Sequence, residues 1–357
     1  MRTDNKTLFG IKDNQERYPL ALWLMTVVVT SLIGDTIILI GTIKYKAIKQ
    51  HKAIVAVIQH MAVYDLILCV LRVFPSGVAV IVDAWVFGEA FCHIEENVKY
   101  LGNTMTMFLT AILTTLKLVI VKYPLKAGTW APRLGHTLCV IPLIISVISS
   151  VPTLTVNMSK QIKQSIHFTY EKYDCDYQFP SVHHPAWFVR YNFVSGGVLM
   201  GLTYPTLVVT SVLLLIVAKR VAAERGDMLR WEGVTTVLMT VVVFFISTLP
   251  MTVVLATNHV GAIKYSYTVR RIVVAIQYIN IMANFFIYSL TLKSFRKFLR
   301  ERYYRIFYPG LPLDNHKHLV MMKKARRNGK QLEVKELQEI QEKEDKVFVR
   351  RQDTPAY

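Results

Sequence analysis

The chain has 357 residues, of which 53% are hydrophobic, and its mean hydropathy is +0.34. Such an apolar composition argues against an ordinary soluble protein of this length. The formal net charge of +18 lies mostly in short segments between apolar runs and in the C-terminal tail. That distribution is typical of basic loops facing anionic lipid, and it argues against a nucleic-acid-binding surface.

Seven apolar runs follow one another, each about 20 residues or longer, which is enough for a helix to cross a hydrocarbon core. We predict spans at 19–43, 53–75, 92–121, 135–156, 193–219, 232–257 and 268–291. The predicted fold class is therefore an all-α membrane protein with a seven-transmembrane helix bundle over 19–291. An outer tail (1–18), a short cytoplasmic amphipathic helix (293–306) and a mostly disordered tail (307–357) complete the predicted organisation.

The charges of the loops predict the orientation of the chain. Basic residues cluster after the first, third and fifth runs. The opposite loops carry the acidic residues Asp83, Glu89, Glu95 and Glu96, although the basic residues Lys264, Arg270 and Arg271 dilute the contrast. The positive-inside rule then places the N-terminus outside the cell and the C-terminus in the cytoplasm, as in a multi-pass plasma-membrane protein. Glycosylation sequons at Asn5 and Asn157 fall on the predicted outer side.

The four cysteines divide into two pairs. Cys69 and Cys139 lie inside apolar runs and are expected to be small core residues. Cys92 begins the third run and Cys175 lies in the long segment after the fourth, both on the predicted oxidising side. We therefore expect a disulfide between Cys92 and Cys175.

Short motifs follow one another in a fixed order along these runs. They are Gly34-Asp35, Met61-Ala62-Val63-Tyr64-Asp65-Leu66, Trp85-Val86-Phe87-Gly88 before Phe91-Cys92, Pro124-Leu125, Pro205, Phe244 with Pro250, and Asn280-Ile281-Met282-Ala283-Asn284 leading to Tyr288. In this order and spacing, over about residues 19–306, the chain resembles the rhodopsin-like (class A) G-protein-coupled receptors. The basic segment after Tyr288 resembles the short cytoplasmic helix of the same family.

The resemblance implies an ion site inside the bundle. Asp65, Thr106, Asn280 and Asn284 would converge on the family's sodium pocket, where oxygen ligands suit a hard cation. Na⁺ at Asp65 is the single cofactor implied. Asp35 replaces a neutral Asn of the family and would adjoin Asp65, so the two carboxyl groups would share a proton or a cation. The alternative is an uncharged Asp65 that bridges helices through water.

The resemblance also implies a ligand pocket beneath the outer loops. Lys99 replaces the Asp of amine receptors and Tyr278 replaces the retinal-binding Lys of opsins, so neither ligand class is expected. Lys99 would pair with a ligand carboxylate, or instead with Glu95 or Glu96 one turn earlier. The expected pocket residues are Arg72, Lys99, Tyr100, Asn103, Arg270 and Tyr278. A peptide or a small anionic molecule is the predicted ligand.

The motifs for activation depart from the family. Leu116-Lys117-Leu118 replaces the Asp-Arg-Tyr triplet, Ser247 and Thr248 precede Pro250 where Cys-Trp is usual, and Phe285 replaces a proline. Residues expected to act in activation or G-protein coupling are Lys117, Pro205, Met107, Phe244, Pro250, Tyr288 and Arg230. Lys117 would face the like charge of Arg230 unless Glu224 or Glu232 neutralises Arg230.

The predicted function is a cell-surface receptor that binds an extracellular ligand and signals through a heterotrimeric G protein. Membrane lipid is the other expected partner, and nucleic acid is not expected. No enzyme motif is recognisable in the sequence. Two alternatives remain open: a non-signalling binding, decoy or chaperone protein of the same fold, and a transporter. A transporter would favour inverted repeats or broken helices, and the sequence indicates neither.

Overall fold

A computed structural model of the chain describes residues 6–46, 48, 51–124, 132–158, 166–169, 174–177, 186–225, 231–259 and 265–307. The helices are α1 (Lys6–Ile43), α2 (Lys52–Leu68), α3 (Phe74–Val82), α4 (Gly88–Lys122), α5 (Pro132–Met158), α6 (Ala186–Arg225), α7 (Trp231–His259), α8 (Tyr267–Gln277), α9 (Ile279–Thr291) and α10 (Lys293–Phe307). A π-helical turn, Cys69–Val73, joins α2 to α3. Strands β1 (Ile166–Thr169) and β2 (Asp174–Tyr177) form an antiparallel hairpin.

Six stretches of helix are long and apolar enough to cross a membrane in the described part of the chain, and α5 adds a shorter apolar helix. They are α1, α2 with α3, α4, α6, α7, and α8 with α9. With α5 as the fourth span they give the seven-helix bundle that the sequence predicts. Many apolar side chains remain on the outer surface of these helices, as lipid-facing helices require.

The bundle is organised around α4, which packs against α2, α5, α6, α7 and both strands of the hairpin. We call the end of the bundle that carries the hairpin the hairpin end. We call the opposite end, where the helices meet the segments 44–51 and 123–131, the basic end. The N-terminus of α4 lies at the hairpin end, so a residue early in α4 belongs to that half of the bundle.

Three local features go beyond the predicted organisation. The first helix begins at Lys6, so most of the segment 1–18 that was expected to be an outer tail is helical. Helix α5 continues to Met158, which places Asn157 in a helical turn, while Asn5 lies outside the described residues. The hairpin is a local exception to the all-α class. Backbone N–H and C=O groups outside helices need other partners, and the ladder between β1 and β2 supplies them.

Two spans are interrupted, contrary to the expectation of unbroken helices. In the second span Pro75 lacks the N–H that an α-helix would bond, and the π-helical turn directly precedes it. In the seventh span Tyr278 separates α8 from α9. The N–H of Ile281 donates to the carbonyl of Tyr278 at 3.2 Å. This bond joins residues three apart, as in a 3₁₀-helix, whereas an α-helix bonds residues four apart. The seventh span therefore breaks at Tyr278 although Phe285 has replaced the family's proline.

The second and fourth spans approach each other closely at Gly135. A Cβ atom built on Gly135 would lie 2.5 Å from the carbonyl oxygen of Ala53 and 2.9 Å from the Cβ of Ala56. The backbone carbonyl cannot rotate away as a flexible side chain would. Only a glycine therefore fits this contact without moving a helix. By contrast, a Cβ on Gly197 in α6 meets no atom within 4 Å.

We predict that Gly135→Ala lowers the melting temperature of the purified protein, whereas Gly197→Ala leaves it unchanged or raises it. Overpacking costs about 1–3 kcal/mol, while Ala in an exposed helical position is favoured over Gly by about 1 kcal/mol. Thermal unfolding in one detergent measures both variants. Equal shifts of the same sign in the two variants would contradict the close approach at Gly135.

Charged and polar sites inside the bundle

Two carboxyl groups lie buried where the first, second and seventh spans meet. Asp35 is 1% exposed and Asp65 is 3% exposed. Oδ2 of Asp35 accepts a hydrogen bond from Oγ of Ser31 at 2.6 Å, and Oδ2 of Asp65 accepts one from Nδ2 of Asn284 at 2.7 Å. The two carboxyl groups are close enough to interact electrostatically. Because both cannot ionise comfortably in a low dielectric, they need a proton or a cation between them.

The residues around this pair fit a hard cation in part. Oδ1 of Asp35 is buried and accepts no hydrogen bond from a described residue, so an oxygen remains to meet an ion. Asp65 and Asn284 come together as the sequence predicted. Thr106 and Asn280 are both partly buried, yet neither hydrogen-bonds to the two carboxyl groups within the described residues. The oxygen set centred on Asp35, Asp65 and Ser31 would hold Na⁺, which would offset one of the two carboxylate charges.

A second charged cluster lies nearer the hairpin end. Nε of Arg72 lies 3.6 Å from Oε1 of Glu95, and the side chains are 3% and 0% exposed. The guanidinium of Arg72 also stacks over the ring of Tyr278 at 5.2 Å from its centroid. Arg72 lies in the π-helical turn, whose extra residue rotates the following side chains relative to a regular α-helix. The cluster thus joins the second, third and seventh spans through one buried cation.

An adjacent ion pair decides between the two expectations for Lys99. Nζ of Lys99 binds Oε2 of Glu96, one turn earlier on α4, and the Glu96 side chain is fully buried. Beside it, Nε2 of Gln277 donates to Oδ1 of Asn103 at 3.1 Å. In the structure, Lys99 therefore forms an ion pair within α4 instead of presenting its ammonium group to a ligand. The formal charges of Arg72, Glu95, Glu96 and Lys99 therefore sum to zero within the bundle.

The expected ligand pocket changes accordingly. Arg72 is 2% exposed and Tyr278 is 2% exposed, so both lie below the surface that a ligand would contact. Arg270 is half-buried in the first turn of α8, while the side chain of Tyr100 lies outside the described residues. Sequence reasoning had placed Arg72 in the pocket and had treated Glu95 as an acidic residue of an outer loop and a partner of Lys99, whereas Glu95 is fully buried in α4. The pairing of Arg72 with Glu95 is the feature that it missed.

One of the four cysteines, Cys92, forms a disulfide. Cys69 and Cys139 are free. Cys92 lies in the first turns of α4, and β2, which contains Cys175, packs against the same helix. Among the four cysteines, Cys175 is the one that remains as a partner. The Cys92–Cys175 disulfide stays a prediction, and the position of the hairpin supports it.

The residues expected to act in activation fall into two groups. Met107 and Phe244 belong to one buried cluster with Leu207, as the predicted connector between α4, α6 and α7 requires. Pro205 is exposed on α6 and Pro250 is partly buried in α7. Sequence reasoning missed the hydroxyl group of Tyr204, which lies 3.0 Å from Oγ1 of Thr248 and 2.8 Å from Oγ1 of Thr252. This contact links α6 to α7 where the family's tryptophan is absent.

Lys117 lies at the basic end and is 7% exposed. It lines a small, mostly apolar cavity together with Leu113, Val237 and Tyr288, between the second, third, sixth and seventh spans. Arg230 lies outside the described residues, so its contact with Lys117 stays a prediction. Glu232 forms an ion pair with Lys293 at 3.0 Å and accepts the backbone N–H of Lys293. Glu232 is therefore already engaged by a cation at the start of α10.

Residues 34–288 match the family described as 7 transmembrane receptor (rhodopsin family), which covers most of the chain. The chain belongs to the rhodopsin family of seven-transmembrane receptors. This receptor is 25% identical over 281 residues to rat (Rattus norvegicus) somatostatin receptor type 4, covering 76% of the chain and 69% of the relative.

Other relatives are receptors of the same kind. Human C-C chemokine receptor type 1 is 24% identical over 292 residues, covering 78% of each chain. Human C-C chemokine receptor type 8 is 25% identical over 138 residues, which is 38% of this chain and 37% of the relative. The predicted family, the seven-helix fold and the absence of an enzymatic role are confirmed for this receptor. It is a multi-pass membrane protein.

We predict that Glu95→Gln strongly destabilises the receptor, because it leaves the buried guanidinium of Arg72 without its counter-ion. Removing one partner of a buried pair costs about 3–5 kcal/mol. The matched control is Glu89→Gln, since the Glu89 side chain is 68% exposed and near His93. Thermal unfolding in detergent compares the two variants. If Glu95→Gln unfolds at the same temperature as Glu89→Gln, Arg72 does not depend on Glu95.

A separate prediction concerns Asp35. In buffer without Na⁺, rising pH ionises both buried carboxyl groups, so we expect thermal stability to fall with pH and Na⁺ to restore it. Asp35→Asn removes one charge and should flatten both dependences. Asp83→Asn, at a side chain that is 50% exposed, is the control and should leave them unchanged. Identical Na⁺ and pH titrations of wild type and Asp35→Asn would show that the two groups are not coupled.

Proposed function

We propose that this receptor binds an extracellular peptide at the hairpin end and signals through a heterotrimeric G protein at the basic end. The placement needs the orientation predicted from the loop charges, with the N-terminus outside the plasma membrane and the basic end in the cytoplasm. The relatives support the ligand class, because their names include somatostatin, chemokine and neuropeptide Y receptors.

The observation that favours a peptide over a small anion is the internal pairing of two of the three expected pocket cations. Arg72 pairs with Glu95, and Lys99 pairs with Glu96. A small anion would have to displace a buried carboxylate from its cation, which is costly because the displaced charge stays desolvated. A peptide can instead contact the hairpin and the outer helix ends over a wider surface, where affinity does not depend on one buried charge.

A non-signalling binding protein of the same fold is the second candidate. The observation that favours it is at the basic end, where Leu116 and Lys117 replace a charged pair and are themselves 5% and 7% exposed. A Lys also lacks the planar fork with which Arg packs against a partner. The family assignment alone therefore leaves open whether ligand binding reaches a G protein.

One experiment separates these functions. Cells expressing the receptor are exposed to a peptide library while G-protein dissociation is recorded, and binding of each labelled peptide is measured in parallel. A peptide that binds and triggers dissociation supports the receptor proposed here. A peptide that binds with no dissociation from any G-protein class supports the non-signalling candidate. Dissociation driven only by small organic anions would contradict the peptide assignment.

We predict that Lys117→Arg raises the maximal G-protein response to an agonist, because guanidinium offers a planar multidentate contact that ammonium lacks. Lys122→Arg is the matched control, since Lys122 is exposed in the last turn of α4. Responses are compared at equal surface expression. A response of Lys117→Arg that does not exceed those of wild type and Lys122→Arg would show that residue 117 does not limit coupling.

A further inference from the structure

Two histidines face each other between the second and fourth spans, away from the sites described above. His60 lies on α2 and His136 lies on α5. Nε2 of His60 is 3.1 Å from Nδ1 of His136, and the two rings are inclined at 68° with a centroid distance of 5.3 Å. The pair brings two imidazole nitrogens from different helices to one point. Neither the carboxyl pair nor the ion pairs of the hairpin end involve these residues.

The separation of the two nitrogens suits a shared metal ion. Zn–N bonds are about 2.0–2.1 Å long. Two such bonds meeting at an angle between 90° and the tetrahedral value place their nitrogens about 2.9–3.4 Å apart. The observed 3.1 Å lies inside that interval. Binding would require that each nitrogen present its lone pair, so the ring proton of each histidine would reside on the outer nitrogen.

The backbone holds the pair in place. Gly135, next to His136, lies against the backbone of Ala53, and a Cβ atom at residue 135 would lie 2.5 Å from the Ala53 oxygen. The distance between the helices is therefore fixed by backbone contact near the pair. A preformed pair of ligands loses less conformational entropy on binding an ion than two mobile side chains would.

The ligand chemistry selects the kind of ion. Imidazole nitrogen suits Zn²⁺ and Cu²⁺, whereas Na⁺, Mg²⁺ and Ca²⁺ prefer oxygen ligands. No third His, Cys, Asp or Glu completes a metal cluster in the described part of the chain. Water or a lipid phosphate would therefore fill the remaining coordination positions, since one of the two rings is exposed.

We propose that His60 and His136 form a two-histidine site for a transition-metal ion, Zn²⁺ or Cu²⁺, that clamps the second span to the fourth. The bound ion would join two helices by coordinate bonds in place of a single hydrogen bond. It would stabilise the folded bundle by the free energy of its binding. This site differs from the oxygen site at Asp35 and Asp65 in its ligands and in the ion it selects, although both sites use a residue of α2.

The test uses the full-length receptor purified in detergent through an affinity tag that contains no histidine. Micromolar Zn²⁺ should raise the melting temperature of the wild type relative to EDTA, and the rise should grow with the logarithm of the Zn²⁺ concentration above the dissociation constant. Mg²⁺ at the same concentrations should have no such effect. His60→Gln and His136→Gln should each abolish the rise, because one remaining imidazole binds too weakly.

Two matched variants control for other histidines. His51→Gln changes the residue that caps α2, and His93→Gln changes a histidine near Glu89 at the hairpin end. Both should keep the full response to Zn²⁺. If the His60 or His136 variants respond as the wild type does, or if the wild type does not respond, the pair is only hydrogen-bonded and the proposal is wrong.

A spectroscopic measurement covers the case in which a variant fails to fold. Cu²⁺ bound to the wild type should show, by pulsed electron paramagnetic resonance, coupling to two imidazole nitrogens at one Cu²⁺ per receptor. The same signal should remain in His51→Gln and His93→Gln. A spectrum with one imidazole nitrogen, or one that His93→Gln removes, would overturn the site at His60 and His136.

Discussion

The ion pair between Arg72 and Glu95 is the contact on which the hairpin half of the bundle depends. Both side chains lie almost completely buried among membrane-spanning helices, where an uncompensated charge is expensive. Each therefore constrains the other, and the helices that carry them must stay in contact. Tyr278 covers the guanidinium from the seventh span, so one cation fixes three spans relative to one another.

Two irregular features of the backbone carry residues of this cluster. The π-helical turn Cys69–Val73 carries Arg72, and Tyr278 is the residue at which the seventh span breaks. Below Tyr278, α9 carries Asn284 to the carboxyl group of Asp65. The same span thus contacts both the charged cluster of the hairpin end and the carboxyl pair in the middle of the bundle. A ligand that moved the outer cluster would act on the inner pair through a short, packed helix.

Much of the fold can be predicted from the sequence, because a helix that crosses the hydrocarbon core of a membrane needs about 20 mostly apolar residues. Seven apolar runs predict seven spans, and the described helices agree with them. The helix after the seventh span is equally readable, because Phe295 and Phe298 recur on one face of a basic segment and α10 covers Lys293–Phe307. The start of α1 at Lys6 was not predicted, since polar residues there conceal a helix that has no apolar pattern.

The candidate sites were harder to read, and the reason is charge pairing across helices. In the sequence, a single Arg72 within an apolar run suggests a residue that binds a ligand. The structure shows that it pairs with Glu95 instead. Sequence spacing could not predict this pair, because the two residues lie on different helices. The pairing of Lys99 with Glu96 was among the expectations because both lie on one helix a turn apart. The His60–His136 contact gave no signal at all, because its two residues lie 76 positions apart. Contacts within one helix were therefore predictable from spacing, whereas contacts between helices were predicted only where the family resemblance supplied them, as for Asp65 with Asn284.

The most direct test of this account is a double-mutant cycle on Arg72 and Glu95, measured as thermal stability in detergent. Arg72→Met and Glu95→Gln each leave one buried charge without its partner, whereas the double variant removes both charges. The account predicts that each single variant is strongly destabilised and that the double variant recovers much of the loss, with a coupling energy of about 1–3 kcal/mol. If the two single effects simply add in the double variant, the buried pair does not hold the hairpin half together and the account is wrong.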